Sequence, residues 1–581
     1  MLNTKEPLFM ALASLGLIYI LALVVGFSSR PAAETQSTLP EESQVEAVAI
    51  QPEYDFEFVD VAQEVGIDFT HSAFRWGFSG DPIAMMGGGL CWLDYDNNGW
   101  IDLYVVNSYA LAEAGQWQSE EGGLPTGALY ANDNGKFIDV SEASGTNLPM
   151  RGNGCVTADF NMDGWDDIYV TTSRANLMLI NQQDGTFVEV AQDSGSYAYG
   201  WQTGTSVGDM NGDGLPDLFV PGYVDINNQI EGSVMGFPNT NFGLRDLLFI
   251  HQGNDENGLP IFEEVGEQLN LEPAGIDDDA EYEYGLGSLM VDLDQDGDLD
   301  IFVANDTNPN RLYLNEPADN EFGFTLVEAG ALARVDDINS GMGVSNADFN
   351  SDGFLDLFVT NLGQQTHSVY WHDGRAGLPA YIDAAADLGV GEMGVGITGW
   401  GTIWADFDND SDLDLFTVNG HVPMVSEEEK MPILFYGNQS AQGETGTLSL
   451  LSEESGLLAV GNMHGRGAAQ ADFDNDGDLD VAVTQIGGAL LLLENRTSGG
   501  NQITLVFDQD VAGAMLEATL PNGETLARQV VIGDSYLSSA DPRVIIGIGD
   551  QAQIAELKIT FADGQTEMLP NLSAGERVFV D

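Results

Sequence analysis

One nine-residue pattern occurs seven times in this chain, and it limits the possible folds more than any other feature of the sequence. It reads DYDNNGWID from Asp94, DFNMDGWDD from Asp159, DMNGDGLPD from Asp209, DLDQDGDLD from Asp292, DFNSDGFLD from Asp348, DFDNDSDLD from Asp406 and DFDNDGDLD from Asp472. The copies recur at intervals of roughly 50 to 80 residues, the length of a propeller blade with insertions. A chain built this way repeats one supersecondary unit, and the unit must be deduced from what surrounds each copy.

Within each copy, oxygen-bearing side chains alternate along a tight loop. Position 1 is Asp94, Asp159, Asp209, Asp292, Asp348, Asp406 and Asp472; position 3 is Asp96, Asn161, Asn211, Asp294, Asn350, Asp408 and Asp474. Position 5 is Asn98, Asp163, Asp213, Asp296, Asp352, Asp410 and Asp476, and position 9 is Asp102, Asp167, Asp217, Asp300, Asp356, Asp414 and Asp480. The backbone carbonyl of position 7 (Trp100, Trp165, Leu215, Asp298, Phe354, Asp412, Asp478) adds a further oxygen. Such a set suits a hard cation that takes six to eight oxygens, so calcium is expected, up to seven ions with one per loop. Position 6 is glycine in six copies, where the chain bends with positive φ; Ser411 stands there in the sixth, which is expected to be the strained exception. An EF-hand is excluded because position 12 is Val or Thr rather than the bidentate Glu that loop requires.

The flanks read as strands. Glycine-rich segments such as GNGCVTAD and GMGVSNAD precede the loops, and apolar runs such as LYVV and IFVA follow them, so each loop joins two strands of a hairpin. A third strand follows (ALYAN, LMLIN, LLFIH, RLYLN, SVYWH, LFYGN, LLLLEN) and then a fourth, GKFIDVSEASG in the first copy. The seventh copy lacks a fourth strand, whereas FEFVDVAQEVG (Phe56 to Gly66) precedes the first loop without a unit of its own. A circular array closed by that N-terminal strand is therefore expected, an all-β, seven-bladed β-propeller over residues 54–498. From Gln502 the acidic pattern stops and short alternating strands (ITLVF, MLEATL, RVIIGI, AELKITF) predict a small β-sandwich-like domain over 499–581.

These segments carry a resemblance. VANDTNPNRLYLN, GMGVSNADFNSDGFLDLFVTN, VNGHV and RGAAQADFDNDGDLD, with GDSYLSSADPRVIIGIGD and ITFADGQTEMLPNL near the end, resemble the FG-GAP/VCBS repeat proteins. Within them the chain is most similar to the cartilage acidic protein family with its ASPIC/UnbV C-terminal domain. The resemblance implies an extracellular or periplasmic propeller with calcium in its blade loops, like that of integrin α-chains, and no established enzymatic activity.

Composition narrows the partners. With 93 Asp+Glu against 17 Lys+Arg the formal charge is -76, which repels nucleic acid and calls for bound cations to offset self-repulsion. Residues Leu8 to Phe27 form an uncharged apolar run of bilayer-spanning length, predicting an N-terminal transmembrane helix or signal anchor (1–30), with a cleaved signal peptide as the rival reading. An acidic linker (31–53) follows, and Lys5 before the run places the bulk of the chain outside the cytoplasm, periplasmic or at the cell surface. Cys91 and Cys155 lie three and four residues ahead of their loops, on opposite sides of the pleat, and are expected to be unbridged buried thiols.

No nucleophile elbow, zinc-protease helix or phosphate loop occurs, so no catalytic residue is assigned. His71 and His421 read as structural histidines, and Trp117, Trp201, Trp371, Trp400, Tyr109, Tyr199 and Tyr282 as core aromatics, although either set could serve a site. The long insertions Ala110 to Thr126 and Tyr223 to Arg245 are the expected specificity elements. The expected function is a membrane-anchored, calcium-binding adhesion or interaction module for a protein or glycan. Alternatives are a polysaccharide lyase or hydrolase, and an accessory factor of a biosynthetic or respiratory assembly.

Overall fold

The alternation of loop and apolar run produces seven four-stranded antiparallel sheets. The computed structural model describes residues 56–269, 271, 283–391, 393–438, 447–507 and 511–580. They lie in one compact unit, Pro52–Asp581. The expected anchor and linker fall outside the described residues, and among those described no helix is long and apolar enough to cross a membrane.

The first strands of the seven sheets are Leu90–Leu93, Gly152–Ala158, Ser206–Gly208, Gly285–Val291, Gly341–Ala347, Gly399–Ala405 and Gly465–Ala471. In every sheet the acidic nonapeptide joins this strand to the second one, so the expected hairpins form. The seventh sheet takes its outer strand from the start of the chain: Phe58–Asp60 pairs antiparallel with Leu491–Asn495. Each first strand packs beside that of the next sheet, and the seventh packs beside the first.

Burial follows the same order. Seven apolar clusters each join two consecutive sheets, including one of Trp92, Leu103 and Tyr130 from sheet one with Ala469, Ala482 and Leu492 from sheet seven. As many interfaces as sheets means that no sheet in the series has an uncovered face. The glycines of the first strands permit the close approach: a Cβ on Gly343 would stand 2.0 Å from the carbonyl oxygen of Trp400 in the neighbouring first strand.

The cysteine expectation is overturned. Cys91 and Cys155 form a disulfide with their Cα atoms 6.0 Å apart, and no free cysteine remains. Their placement on opposite sides of the pleat is correct, but they lie on equivalent strands of adjacent sheets. Cys91 therefore faces forward into the interface between sheets one and two, and Cys155 faces back into it.

After the seventh sheet, strands Asn501–Phe507, Val544–Gly549 and Arg577–Val580 form one sheet, and Met515–Thr519, Thr525–Gln529, Gln553–Thr560 and Thr566–Ser573 another, over a shared core of Ile503, Leu516, Ile546 and Leu557. A segment between them, residues 532–541, runs among the first strands. Val207 N–H donates to Ile532 O (3.1 Å), Cys155 N–H to Leu537 O (3.2 Å), and Trp92 N–H to Ser539 O (3.1 Å), while Val344 and Ser535 exchange two backbone hydrogen bonds. Tyr536 is fully buried, donates its hydroxyl to Met86 O (2.9 Å) and meets the Trp400 ring at 4.9 Å. Arg466, also fully buried, lies over Trp400 at 4.0 Å and donates to the carbonyl of Met85.

Candidate metal loops

The turn of each nonapeptide is built by its own aspartates. The position 1 carboxylate accepts the N–H of position 6 in all seven loops, at 2.7–3.2 Å, as from Gly99 to Asp94 and from Ser411 to Asp406. Position 5 accepts the N–H of position 7 in all seven. The expected positive φ occurs at position 6, including +90° at Ser411, a conformation that costs a residue with a Cβ about 1 kcal/mol or more.

Position 9 has a further task. Its carboxylate is buried in every sheet and accepts the backbone N–H at the end of the third strand: Asn132, Asn181, His251, Asn315, His372, Asn438 or Asn495, at 2.6–3.0 Å. Several of those residues also reach the preceding sheet's loop. Asn132 donates to Phe473 O, Asn181 to Tyr95 O, Asn315 to Met210 O and Asn495 to Phe407 O, and His251 Nε2 lies 3.0 Å from Phe160 O. Sequence reasoning assigned no role to these residues, although the signal was present: every third-strand segment ends in Asn or His.

Among the described residues, the carboxylates of four loops converge. One oxygen from each of Asp94, Asp96 and Asp102 lies within 4.8 Å of the others, and the same holds for Asp292, Asp294 and Asp300, for Asp406, Asp408 and Asp410, and for Asp472, Asp474 and Asp480. These are the loops with Asp at position 3. In the remaining three, Asn161, Asn211 and Asn350 donate from their amides to the position 5 carboxylates at 2.9–3.0 Å. Crowding appears in the proton affinities: burial, then the charges of Asp294 and Asp296, push Asp292 up to about 7. Asp408 is raised by burial and by Asp410 and Asp406, and the buried position 9 carboxylates Asp167, Asp217, Asp300, Asp356, Asp414 and Asp480 rise well above the usual range. Buried oxygens Asp96 Oδ1, Asp292 Oδ1 and Asp408 Oδ1 accept no hydrogen bond. An oxygen-rich cage with unpartnered carboxylate oxygens fits a hard divalent cation.

A cavity of about 950 Å³ separates several loops from the C-terminal strands, with Asp94, Asp348, Arg528, Arg543 and Arg577 on its walls. Arg543 donates to Asp472 O and Asn475 Oδ1, both at 2.6 Å.

The other candidates separate from the loops. His71 is buried, accepts the N–H of Ala73 and is held down to about 3 by desolvation and by Arg466, which makes it a neutral structural group. His421 is half-exposed, with Nδ1 3.0 Å from Pro423 O. Trp117, Trp201, Trp400 and Tyr109 are buried and Trp371 packs against a core cluster, whereas Tyr199 is 65% exposed; Tyr282 lies outside the described residues. The insertion after the second strand of sheet one forms short helical turns (Leu111–Glu113, Ala114–Gln116, Trp117–Glu121), and that after sheet three's second strand forms a hairpin, Val224–Gln229 with Asn241–Gly243. Both leave that strand at the end remote from its acidic loop.

Comparison with known proteins gives this architecture its kinship. An FG-GAP-like repeat model matches residues 94–170, 159–220, 292–359 and 348–417, each match beginning on the first aspartate of a loop, and an ASPIC and UnbV model matches 508–581. The chain carries FG-GAP-like repeats and a C-terminal ASPIC and UnbV domain. Among its relatives is cartilage acidic protein 1 of Homo sapiens, 27% identical over 286 residues, 48% of this chain and 40% of that protein. The Xenopus tropicalis protein of the same name is 24% identical over 351 residues, 57% of this chain and 49% of that one. The FG-GAP repeat chain thus spans less than half the length of these curated relatives, neither of which is named as an enzyme. Among solved structures, an Agrocybe aegerita lectin that recognises non-reducing terminal N-acetylglucosamine aligns over 69% of this chain and 86% of its own, at 14% identity and a TM-score of 0.37. The V. cholerae biofilm matrix protein Bap1 aligns over 89% and 76%, at 12% identity and a TM-score of 0.29.

Proposed function

We propose that this chain is a seven-bladed, calcium-binding β-propeller held outside the cytoplasm, anchored in the membrane by residues 8–27, and acting as a binding or interaction module for a protein or glycan rather than as an enzyme. The observation that carries the reading is the turn shared by all seven loops, with carboxylates that converge in four of them and whose repulsion a divalent ion removes. Position 1, 3, 5 and 9 side chains and the position 7 carbonyl would hold the ion, which supplies the positive charge that the turn lacks. Seven interfaces among seven sheets support the closed ring. The disulfide between Cys91 and Cys155 favours an oxidising compartment, in keeping with export. The insertions Ala110 to Thr126 and Tyr223 to Arg245 would carry partner specificity, with Val234, Met235 and Phe237 exposed at the tip of the second.

Calcium stoichiometry after exhaustive dialysis, paired with melting curves with and without a chelator, tests the metal. Several ions per chain and a fall in Tm of several degrees are expected; no bound ion and no shift would refute the reading. Glycan and protein arrays with and without calcium test the partner class, and turnover of a glycan would replace a binding module with an enzyme.

A further inference from the structure

The sixth loop departs from the repeat in sequence, with Ser411 where the others have glycine, and it departs in environment as well. In each of the other six loops at least one residue of the turn is exposed; in the sixth none is, and Asp406, Asp408, Asn409 and Ser411 are buried at 6%, 5%, 1% and 4% exposure. The cover is the C-terminal domain. Gly500 N–H donates to Asp408 O (2.7 Å) and Gly549 N–H to Asn409 O (2.8 Å). The fit admits no side chain on that surface: a Cβ on Gly547 would stand 2.0 Å from Asp406 Oδ2, and one on Gly499 2.0 Å from Asp408 O. Arg528 of the same domain donates weakly to Ser411 O (3.4 Å), and its charge acts on Asp406 and Asp348.

Loop six thus puts Asp406, Asp408 and Asp414 beneath a lid that excludes water, with Asp410 and Asp412 half-buried beside them and the Arg528 guanidinium at the edge. One oxygen from each of Asp406, Asp408 and Asp410 lies within 4.8 Å of the others, and Asp408 Oδ1 is buried and accepts no hydrogen bond. One guanidinium does not balance the buried carboxylates of the loop; the excess negative charge opposes closure of the lid, and a divalent ion in the cage reverses that opposition. The glycine surface backs closely onto the turn, at Asp406 and Asp408. Resting on the calcium reading above, we infer that the sixth loop is a closed ion site in which cation binding and docking of the C-terminal domain form one linked equilibrium, while the exposed loops exchange their ions freely. By reciprocity, loss of this single ion loosens the domain, and loosening the domain releases the ion.

The test compares Asp408→Asn with Asp213→Asn, a change in the exposed turn of the third loop, in the full-length chain at saturating calcium. Hydrogen exchange is read on peptides covering residues 499–503 and 544–549. Asp408→Asn is expected to speed exchange there by about five- to 150-fold, the usual range of coupling, with Asp213→Asn leaving it unchanged. Equal rates in the two variants overturn the inference while the calcium reading stands, provided that the wild-type chain binds calcium at all; a wild-type chain without calcium removes both. If Asp408→Asn does not fold, the wild-type chain decides: chelator should release one ion per chain slowly, at the rate at which residues 544–549 lose protection, and release of every ion in one fast phase overturns the inference.

Discussion

Phe58 is the residue on which closure of the sheet series should depend. It lies in the short strand that enters the seventh sheet from the start of the chain, is 3% exposed, and meets Phe407, Phe416 and Phe435 at ring-centroid distances of 5.5, 6.1 and 5.4 Å. Phe58→Ala removes a buried ring from a site that its aromatic neighbours cannot refill, which costs about 3–5 kcal/mol. At about 2.1 cal/mol/K of unfolding entropy per residue, a body of this size should lose about 3–5 °C in Tm. The local effect should be larger than the global one. If the strand detaches as a unit, amides of Leu491–Asn495 lose their outer partner, and 3–5 kcal/mol corresponds to exchange faster by about a hundredfold or more. Phe579→Ala, at a ring that is 64% exposed, is the control and should cost less than about 0.5 kcal/mol. Differential scanning calorimetry and hydrogen exchange read both quantities. A Tm loss for Phe58→Ala no larger than that of the control, or unchanged exchange in Leu491–Asn495, would refute the idea that this strand seals the seventh sheet.

Two further outcomes follow from the same interior. Replacing Cys91 and Cys155 by serine removes a cross-link spanning 64 residues and should destabilise the chain by up to about 4 kcal/mol, read as a lower denaturation midpoint with a somewhat steeper slope, because the unlinked unfolded chain exposes more surface; an unaltered midpoint would mean that the bridge adds nothing beyond its packing. His367 is buried, accepts the N–H of Asn361 at 2.9 Å and is held down to about 4 by desolvation. Its folded value lies below the unfolded one, so its contribution is intact above about pH 6.5 and is lost as pH falls toward 4, by up to about 3 kcal/mol. At saturating calcium, His367→Gln should flatten the acid slope of Tm between those limits, and an unchanged slope would assign the acid sensitivity elsewhere.

The sequence made the repeat legible because its determinants are local. Alternating aspartates, a glycine at the bend and apolar runs on either side define a hairpin without reference to the rest of the chain, and the orphan segment around Phe58 could be matched to the seventh copy by counting strands. What was missed depends on neighbours. The pleat parity of Cys91 and Cys155 was read correctly, but its meaning reverses once the two strands belong to adjacent sheets. Ser411 looked like a defect in its own loop, whereas Gly499, Gly500, Gly547 and Gly549, far away in sequence, cover that loop. The terminal Asn or His of each third strand was visible and went unread, since its bond partner is the carbonyl of a different sheet.

Residues 532–541 bear on how the molecule can be used. Their backbone is stitched to first strands of several sheets, and Tyr536 fills the space between them with no exposed surface. A ligand seeking the first strands at these positions would therefore first have to displace residues 532–541.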